Sequence, residues 1–452
     1  MRFLSVYALL FATSFSSFAG IEHAPPSFSH QDGKAVYIDI LTANYKITYD
    51  VANSKTTVQS ELVFNAPEKG FPIFDLVVEP KNQMIDGVAT TSKQISDPDK
   101  VSKFRALDTS VSAGKHTLTL THEIARGLSF RSNTVSSAFW MSDLSDRQYL
   151  EQFLPTNFEY DQIAMTMRVE VIGAAGKPHV LRTNGAVTTI SENEFEVVYP
   201  KLYTTSSIFY HLYPVGTFPT ELFNFTSVDG RSIPVEIYTS GNLNSFVTET
   251  KKILNELEKD YGPFPHNKVV IYGAGSGGME YSGATQTSLS ALGHELFHSY
   301  NARGVMPAQG NAGWIDEAMS SWRDANYTTR SAAGSRTKMA GKSVYTRMTD
   351  SAAYSSGRDF LAWIAGRMEA RNQNFKTYLR DYFTKNVFTT ITTEIFRADL
   401  EKYSGLDLNA DFQKYIYGAG RFTDELRANR VEAENPFHPR LTQAQRDALL
   451  WP

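Results

Sequence analysis

The chain has 452 residues, a formal net charge of -4 and no cysteine. A chain of this length is too long to fold around one hydrophobic core of ordinary size, so two or three domains are expected. A hydrophobic content of 42% with 20% charged residues excludes a disordered chain, the absence of cysteine excludes disulfides, and the charge gives no reason to expect a nucleic-acid partner.

Residues 1–19 have the pattern of a secretory signal peptide. Arg2 is their only charge, an apolar run covers residues 3–12, and small residues lead to Ala19, after which we expect cleavage. The apolar run is too short to favour an anchor, although a retained anchor is the alternative. No later stretch has the length of a spanning helix, so stable membrane insertion is not expected. These features predict an exported protein, periplasmic or extracellular.

Short alternating runs dominate residues 20–225. Apolar and polar side chains alternate with period two at residues 45–49, 117–121 and 167–171, and turn residues such as Asn184-Gly185 separate the runs. This pattern predicts a β-rich, sandwich-like N-terminal domain.

Residues 226–428 have a different pattern. Apolar residues recur at helical spacing over residues 243–261, a short apolar strand follows at 268–272, and further helices are predicted at 360–370, 375–384 and 393–403. A polar tail covers residues 429–452. The sequence therefore predicts a multidomain α+β protein, with a mostly helical second domain that contains a small sheet.

The chemistry centres on His294, Glu295 and His298, which form an H-E-x-x-H sequence, and on Glu317, which follows after eighteen residues. Residues four apart lie on the same helical face, so both imidazoles can face one ion. Three protein ligands leave a fourth position for water, as in catalytic zinc sites. Glu295 lies beside the first ligand, where its carboxylate can take a proton from that water.

A chain reversal must bring Glu317 back to the histidines, and Gly304, Pro307, Gly310 and Gly313 permit one. The alternative is a chance motif on an exposed helix. That alternative leaves the position of Glu317 unexplained.

The ordered motif resembles the zinc aminopeptidases of the alanine and leucyl aminopeptidase type, whose fingerprint is H-E-x-x-H, eighteen residues, then Glu. Upstream, residues 277–280 read Gly-Gly-Met-Glu and resemble the G-x-M-E-N exopeptidase motif of that family. The resemblance implies that Glu280 binds the substrate α-amino group and that the backbone of Gly277 and Gly278 lies beside the peptide. It also implies one catalytic zinc ion and peptide substrates.

Residues 354–357 resemble the Y-x-x-G element of the same family, which implies that Tyr354 stabilises the oxyanion; the alternative is a structural tyrosine. Asp146 is the candidate for a second amino-group anchor from the β domain. Residues 298–303 also resemble the related glycyl aminopeptidases. The large C-terminal helical domain of bigger family members has no counterpart here, so we expect longer peptides to enter.

Three positions depart from the family pattern. Tyr281 replaces the Asn after the exopeptidase Glu, and Asp316 and Ala318 replace the Asn and the Gly of the N-E-G sequence at the third ligand. The resemblance implies a short aminopeptidase with a thermolysin-like catalytic domain. A thermolysin-like endopeptidase, in which Glu280 would not bind an amine, and a catalytically idle binding protein are the alternatives.

Overall fold

The computed structural model describes residue 21 and residues 23–142, 150–174 and 176–419. The predicted signal peptide at residues 1–19, Asp146 and the predicted tail at residues 429–452 lie outside the described residues. Within the described ranges, no helix combines the length and the apolar composition needed to cross a bilayer.

The N-terminal part is built from strands. In chain order they are β1 (Phe28–His30), β2 (Gly33–Tyr37), β3 (Asp39–Asp50), β4 (Lys55–Ala66), β5 (Phe71–Phe74), β6 (Lys81–Ile85), β7 (Val88–Ala89), β8 (Ser92–Ser96), β9 (Lys103–Leu107), β10 (Gly114–His122), β11 (Leu128–Arg131), β12 (Thr134–Ala138), β13 (Ala164–Ile172), β14 (His179–Thr183), β15 (Ala186–Ser191), β16 (Glu194–Val198) and β17 (Tyr210–Pro214).

Among the described residues these strands form sheets of eight, five and four strands. The largest has the order β15-β16-β13-β3-β4-β10-β6-β7, and its centre is the long antiparallel pair of β3 and β4. The apolar positions of these strands, such as Ile47, Leu62 and Leu118, are fully buried, as the period-two pattern predicts. Burial of each such side chain contributes about 1.5–3 kcal/mol.

The second part begins with a sheet and continues as helices. Its elements are β18 (Thr220–Thr226), β19 (Ser232–Thr239), α1 (Leu243–Tyr261), β20 (Val269–Gly273), β21 (Gly278–Tyr281), β22 (Ala284–Thr287), α2 (Leu292–Phe297), β23 (Met306–Pro307), α3 (Gly313–Asp324), α4 (Ser356–Glu369), α5 (Phe375–Asn386), β24 (Thr390–Ile391), α6 (Thr393–Ser404) and α7 (Asn409–Tyr415). The sheet has the order β18-β19-β20-β22-β21, which places β21 at an edge next to α2.

The helices pack around α3. Trp314 on α3 is fully buried, and its indole nitrogen donates to the hydroxyl of Thr393 at 3.0 Å. α1 begins where the side chain of Asn242 accepts from the Ser245 amide and ends at Gly262 with φ +92. The helix predicted at residues 243–261 is therefore present with the predicted bounds, because both ends carry capping residues.

The predicted boundary between residues 225 and 226 falls inside β18, which pairs with β19 along its whole length. The division into domains stays a prediction. The α+β class is confirmed, with a β-rich N-terminal part and a mostly helical C-terminal part.

Candidate metal centre

Two histidines and a glutamate converge where α2 meets α3. α2 carries His294, and His298 lies one turn further on, at the C-terminal end of the helix. Nε2 of His294 lies 3.2 Å from Oε2 of Glu317, and Nε2 of His298 lies 3.7 Å from the same oxygen. The structure therefore brings together the three side chains that the sequence predicts as metal ligands.

The chain reversal between α2 and α3 runs through a crowded interior. A Cβ atom on Gly304 would lie 2.5 Å from the carbonyl oxygen of Ser299, and one on Gly310 would lie 2.5 Å from that of Met348. Both positions need glycine because neighbouring backbone comes too close for a side chain. Neither glycine has a positive φ; in this turn the left-handed residue is Ala302, with φ +54.

The three side chains fit a zinc ion. Zinc bound by imidazole and carboxylate has bonds of about 2.0–2.2 Å, so ligands at a tetrahedral angle lie about 3.3 Å apart. The separations of 3.2 and 3.7 Å from Oε2 of Glu317 match that value. Nδ1 of His294 donates to Asp324 at 2.6 Å, and Nδ1 of His298 donates to Asp316 at 2.5 Å. These bonds leave Nε2 of each ring for the metal.

The charged groups at this centre shift one another's pKa values. Burial opposes the charged form of His294, but its hydrogen bonds to Asp324 and Glu317 outweigh burial and raise its pKa to about 9. Burial also opposes charge on His298, whose pKa is raised well above the usual value chiefly by Asp316. Burial favours a neutral Glu317, yet the two histidines hold its pKa below the usual value. The imidazoles therefore lie in a negative field that suits a dication.

Glu295 lies against the backbone of β21. A Cβ atom on Gly278 would overlap Oε1 of Glu295, so a glycine is required for the carboxylate to lie there. Burial raises the pKa of Glu295 to about 8, and His298 acts in the opposite direction. The position of this buried carboxylate beside His298 is what suits it to act as a general base. The contact of Gly278 with substrate stays a prediction, and the observed neighbour of Gly278 is Glu295.

Tyr354 lies beside the ligands, at the end of a 3₁₀ turn that precedes α4. The turn begins at Asp350, whose side chain accepts from the amide of Ala352. The Tyr354 hydroxyl donates to Oε1 of Glu317 at 2.6 Å, and its ring stacks on His294 with centroids 6.1 Å apart. Glu317 thus directs Oε2 at the histidines and Oε1 at the phenol. Tyr354, the predicted oxyanion donor, is therefore hydrogen-bonded to Glu317, one of the predicted metal ligands.

Glu280 lies on the edge strand β21, within the same centre. A carboxylate oxygen of Glu280 lies within 4.8 Å of ligand atoms of Glu295 and His298. Its Oε1 also accepts a hydrogen bond from Nη2 of Arg303 at 2.6 Å, and both side chains are buried. The next residue, Tyr281, is fully buried and donates to the carbonyl of Phe139 at 3.3 Å, so this departure from the family motif is a contact with the β-rich part.

The sequence interpretation assigned no function to three residues that contact the site side chains. Asp324 stands seven residues after Glu317 on α3, and residues seven apart share a helical face, so its position carried a signal. Asp316 carried a signal as well, because it replaces the Asn of the N-E-G sequence in the family motif. Arg303 follows a turn whose direction the sequence does not specify.

No protein-family model matches the chain, and no curated protein matches it. Among solved structures, the M1 zinc metallopeptidase from Deinococcus radiodurans is similar over 86% of this chain and 95% of that chain, with a TM-score of 0.60 and 15% identity. Leukotriene A4 hydrolase from Saccharomyces cerevisiae gives a TM-score of 0.61 at 14% identity, covering 90% of this chain and 74% of that chain.

Aminopeptidase A from Legionella pneumophila gives a TM-score of 0.63 at 13% identity, and the match covers 85% of this chain but 50% of that chain. All three similarities extend over 85% or more of this chain, at TM-scores of 0.60 to 0.63. The chain has the fold of the M1 zinc metallopeptidases.

Proposed function

We propose that this chain is a zinc-dependent aminopeptidase. The observation that carries the proposal is the convergence of His294, His298 and Glu317, with the buried carboxylate of Glu295 beside them. The fold supports it, because zinc metallopeptidases and an aminopeptidase share that fold. A variant of the Deinococcus protein has been solved with a Tyr-Ser-Ala substrate bound. A peptide with a free amino end is the substrate class we propose here.

In the proposed mechanism, His294, His298 and Glu317 hold one zinc ion. Zinc in such a site polarises the scissile carbonyl and lowers the pKa of water towards about 7. Glu295 accepts the proton of the attacking water and passes it to the leaving amine. The Tyr354 hydroxyl, next to Glu317, donates to the oxyanion that develops on the carbonyl.

The substrate backbone is proposed to lie along β21. In the described sheet this strand is at the edge, so its outer side offers main-chain donors and acceptors to an added strand. A peptide bound there would meet Glu280, a buried carboxylate close to Glu295. A carboxylate in that position pairs with the ammonium at a chain end and so selects exopeptidase cleavage.

The general base is tested with Glu295→Gln. We expect zinc content to stay at the wild-type level, because Glu295 is not one of the three ligands. Turnover of a free-amine peptide should fall about 10³-fold, since the amide cannot accept the proton. Metal analysis and single-substrate kinetics measure the two quantities. Substantial residual hydrolysis by a zinc-loaded variant would contradict the assigned base.

A thermolysin-like endopeptidase is the alternative, with the same metal chemistry and a different function for Glu280. Hydrolysis of a free-amine peptide and of its N-acetylated twin separates the two. Preference for the blocked peptide would exclude the aminopeptidase. A purified chain that binds no zinc and cleaves neither peptide would instead be an idle binding protein.

A further inference from the structure

His298 belongs to two groups of side chains that could hold a metal ion in the described part of the chain. One group is His294, His298 and Glu317; the other is His298, Glu280 and Glu295, and the ligand atoms of each group lie within 4.8 Å of one another. Nδ1 of His298 is hydrogen-bonded to Asp316, so only Nε2 can bind a metal ion. His298 can therefore be a ligand in only one of the two groups at a time. Carboxylates are good zinc ligands, so the site needs a reason for Glu280 to stay unligated.

Arg303 supplies that reason. Its Nη2 donates to Oε1 of Glu280 at 2.6 Å, and its Nη1 donates to the hydroxyl of Ser206 at 2.7 Å. The side chains of Arg303 and Glu280 are only 8% and 5% exposed, so water does little to screen the pair. A guanidinium held at two points keeps a fixed fork geometry and fixes the carboxylate with it.

The anchor on Ser206 is itself fixed. Ser206 lies in a short turn of the β-rich part, and its hydroxyl donates to the carbonyl oxygen of Glu159 at 2.8 Å. The hydroxyl therefore accepts from Arg303 while its proton is committed elsewhere. Arg303 thus links the edge strand of the catalytic sheet to the β-rich part.

The turn after α2 aims Arg303 at this position. Ala302 has φ +54, a left-handed conformation that a residue with a side chain seldom adopts. The amide of Arg303 then donates to the carbonyl of His298 at 3.0 Å, which closes the turn. Strained residues of this kind persist where the surrounding structure holds them, and they are concentrated at functional sites.

We propose that Arg303, anchored on Ser206, is a positioning residue that keeps Glu280 out of the zinc coordination sphere and reserves it for the substrate amine. This inference rests on the proposed zinc peptidase function. A cavity of about 40 Å³ borders Glu280, Arg303, Ser206 and Asp316. A water molecule needs about 10–15 Å³ by this measure, so the cavity leaves room for a small polar group next to Glu280.

The experiment compares Arg303→Gln, Arg303→Lys and the double variant Arg303→Gln with Glu280→Gln. The control is Arg182→Gln, because Arg182 on β14 also reaches a carboxylate of the catalytic sheet, Glu236 on β19, at 3.0 Å. Zinc affinity is measured by competition with a chelator, and crystal structures of the zinc-loaded proteins give the distance from Glu280 to the metal. The ratio of kcat/KM for a free-amine peptide to that for its N-acetylated twin reports amine recognition.

In Arg303→Gln we expect the Glu280 carboxylate to move to bonding distance of zinc, about 2.0–2.2 Å. Zinc affinity should rise and the free-amine preference should fall, each by about tenfold or more. The double variant should return to wild-type zinc affinity, because an amide is a weak zinc ligand. Arg303→Lys keeps the charge and loses the fork, so its zinc affinity and its free-amine preference should lie between those of Arg303→Gln and those of the wild type.

A zinc-loaded Arg303→Gln with unchanged Glu280 position, zinc affinity and amine preference would overturn the proposal, as would equal effects in Arg182→Gln. If Arg303→Gln does not fold, Arg303→Lys decides: a wild-type preference together with wild-type zinc affinity overturns the proposal. A wild-type chain that binds zinc and cleaves no peptide contradicts the peptidase function alone, because zinc affinity and the Glu280 position still test Arg303.

Discussion

The metal-facing and substrate-facing halves of the site differ in the origin of their geometry. His294, His298 and Glu317 lie on two helices that follow each other in the chain, and helical spacing alone puts the histidines on one face. Glu280 owes its position to Arg303 across the turn after α2 and to Ser206, 97 residues before Arg303. Helical periodicity and the reversal between α2 and α3 therefore determine the first half, and packing against the β-rich part determines the second.

Loss of Glu317 should have the largest effect and is the sharpest test of this comparison. In Glu317→Ala only two ligands remain in the first group, so we expect zinc affinity to fall by more than about 100-fold, beyond the effect of changing an outer partner. Activity should disappear at zinc concentrations that saturate the wild type. Equilibrium dialysis against zinc measures the affinity.

The result also decides between the two possible ligand groups that share His298. If Glu317→Ala keeps wild-type zinc affinity while Glu280→Gln loses it, then the metal is held by Glu280, Glu295 and His298. The distinction between a metal-facing and a substrate-facing half would then be wrong.

Local signals explain which elements the sequence predicts well. The helix at residues 243–261 has a capping asparagine before it and a glycine after it, and α1 has the same bounds. α4 begins at Ser356, four residues before the predicted start at Phe360. Its first turn includes Gly357, which packs against α3, where a Cβ would lie 2.9 Å from the Cβ of Ala318. A glycine that normally ends a helix is retained here for close packing.

The sequence predicted all three converging ligands and the neighbouring Glu295. The histidines and Glu295 follow from helical spacing, and Glu317 follows from the eighteen-residue gap with glycines and a proline that permit a chain reversal. It did not predict that Glu280 would already have a cationic partner. The pairing depends on the left-handed conformation of Ala302, which an alanine does not signal, and on the contact of Arg303 with Ser206 in the β-rich part. A sequence motif can show which side chain has a function, whereas the groups that this side chain contacts depend on the tertiary structure.

A smaller effect is expected at Tyr354, whose phenol contacts the metal-facing half. In Tyr354→Phe we expect kcat to fall about 100-fold, because one donor to the oxyanion is lost. Zinc affinity should change little, since the Glu317 oxygen directed at the histidines is Oε2 and not the Oε1 that accepts from the phenol. A fall in zinc affinity with unchanged kcat of the loaded enzyme would instead make Tyr354 a support for the ligand.

The smallest effects are expected at the carboxylates behind the histidines, and they should differ from each other. Asp316 accepts from Nδ1 of His298 with 5% of its side chain exposed, whereas Asp324 accepts from Nδ1 of His294 with 44% exposed. An asparagine at either position keeps an acceptor oxygen and loses the charge. Because water screens the exposed carboxylate, Asp316→Asn should lower zinc affinity by about tenfold or more and Asp324→Asn by less.

Chelator competition on the two variants measures both losses under identical conditions. The comparison also bears on the family pattern, because Asp316→Asn restores the asparagine of N-E-G. If the carboxylate of Asp316 strengthens the centre, the restored asparagine weakens zinc binding and leaves Arg303 and Glu280 paired. Equal losses in the two variants, or a larger loss in Asp324→Asn, would show that burial does not set the strength of these contacts. The hydrogen bond itself, rather than the charge behind it, would then orient the imidazoles.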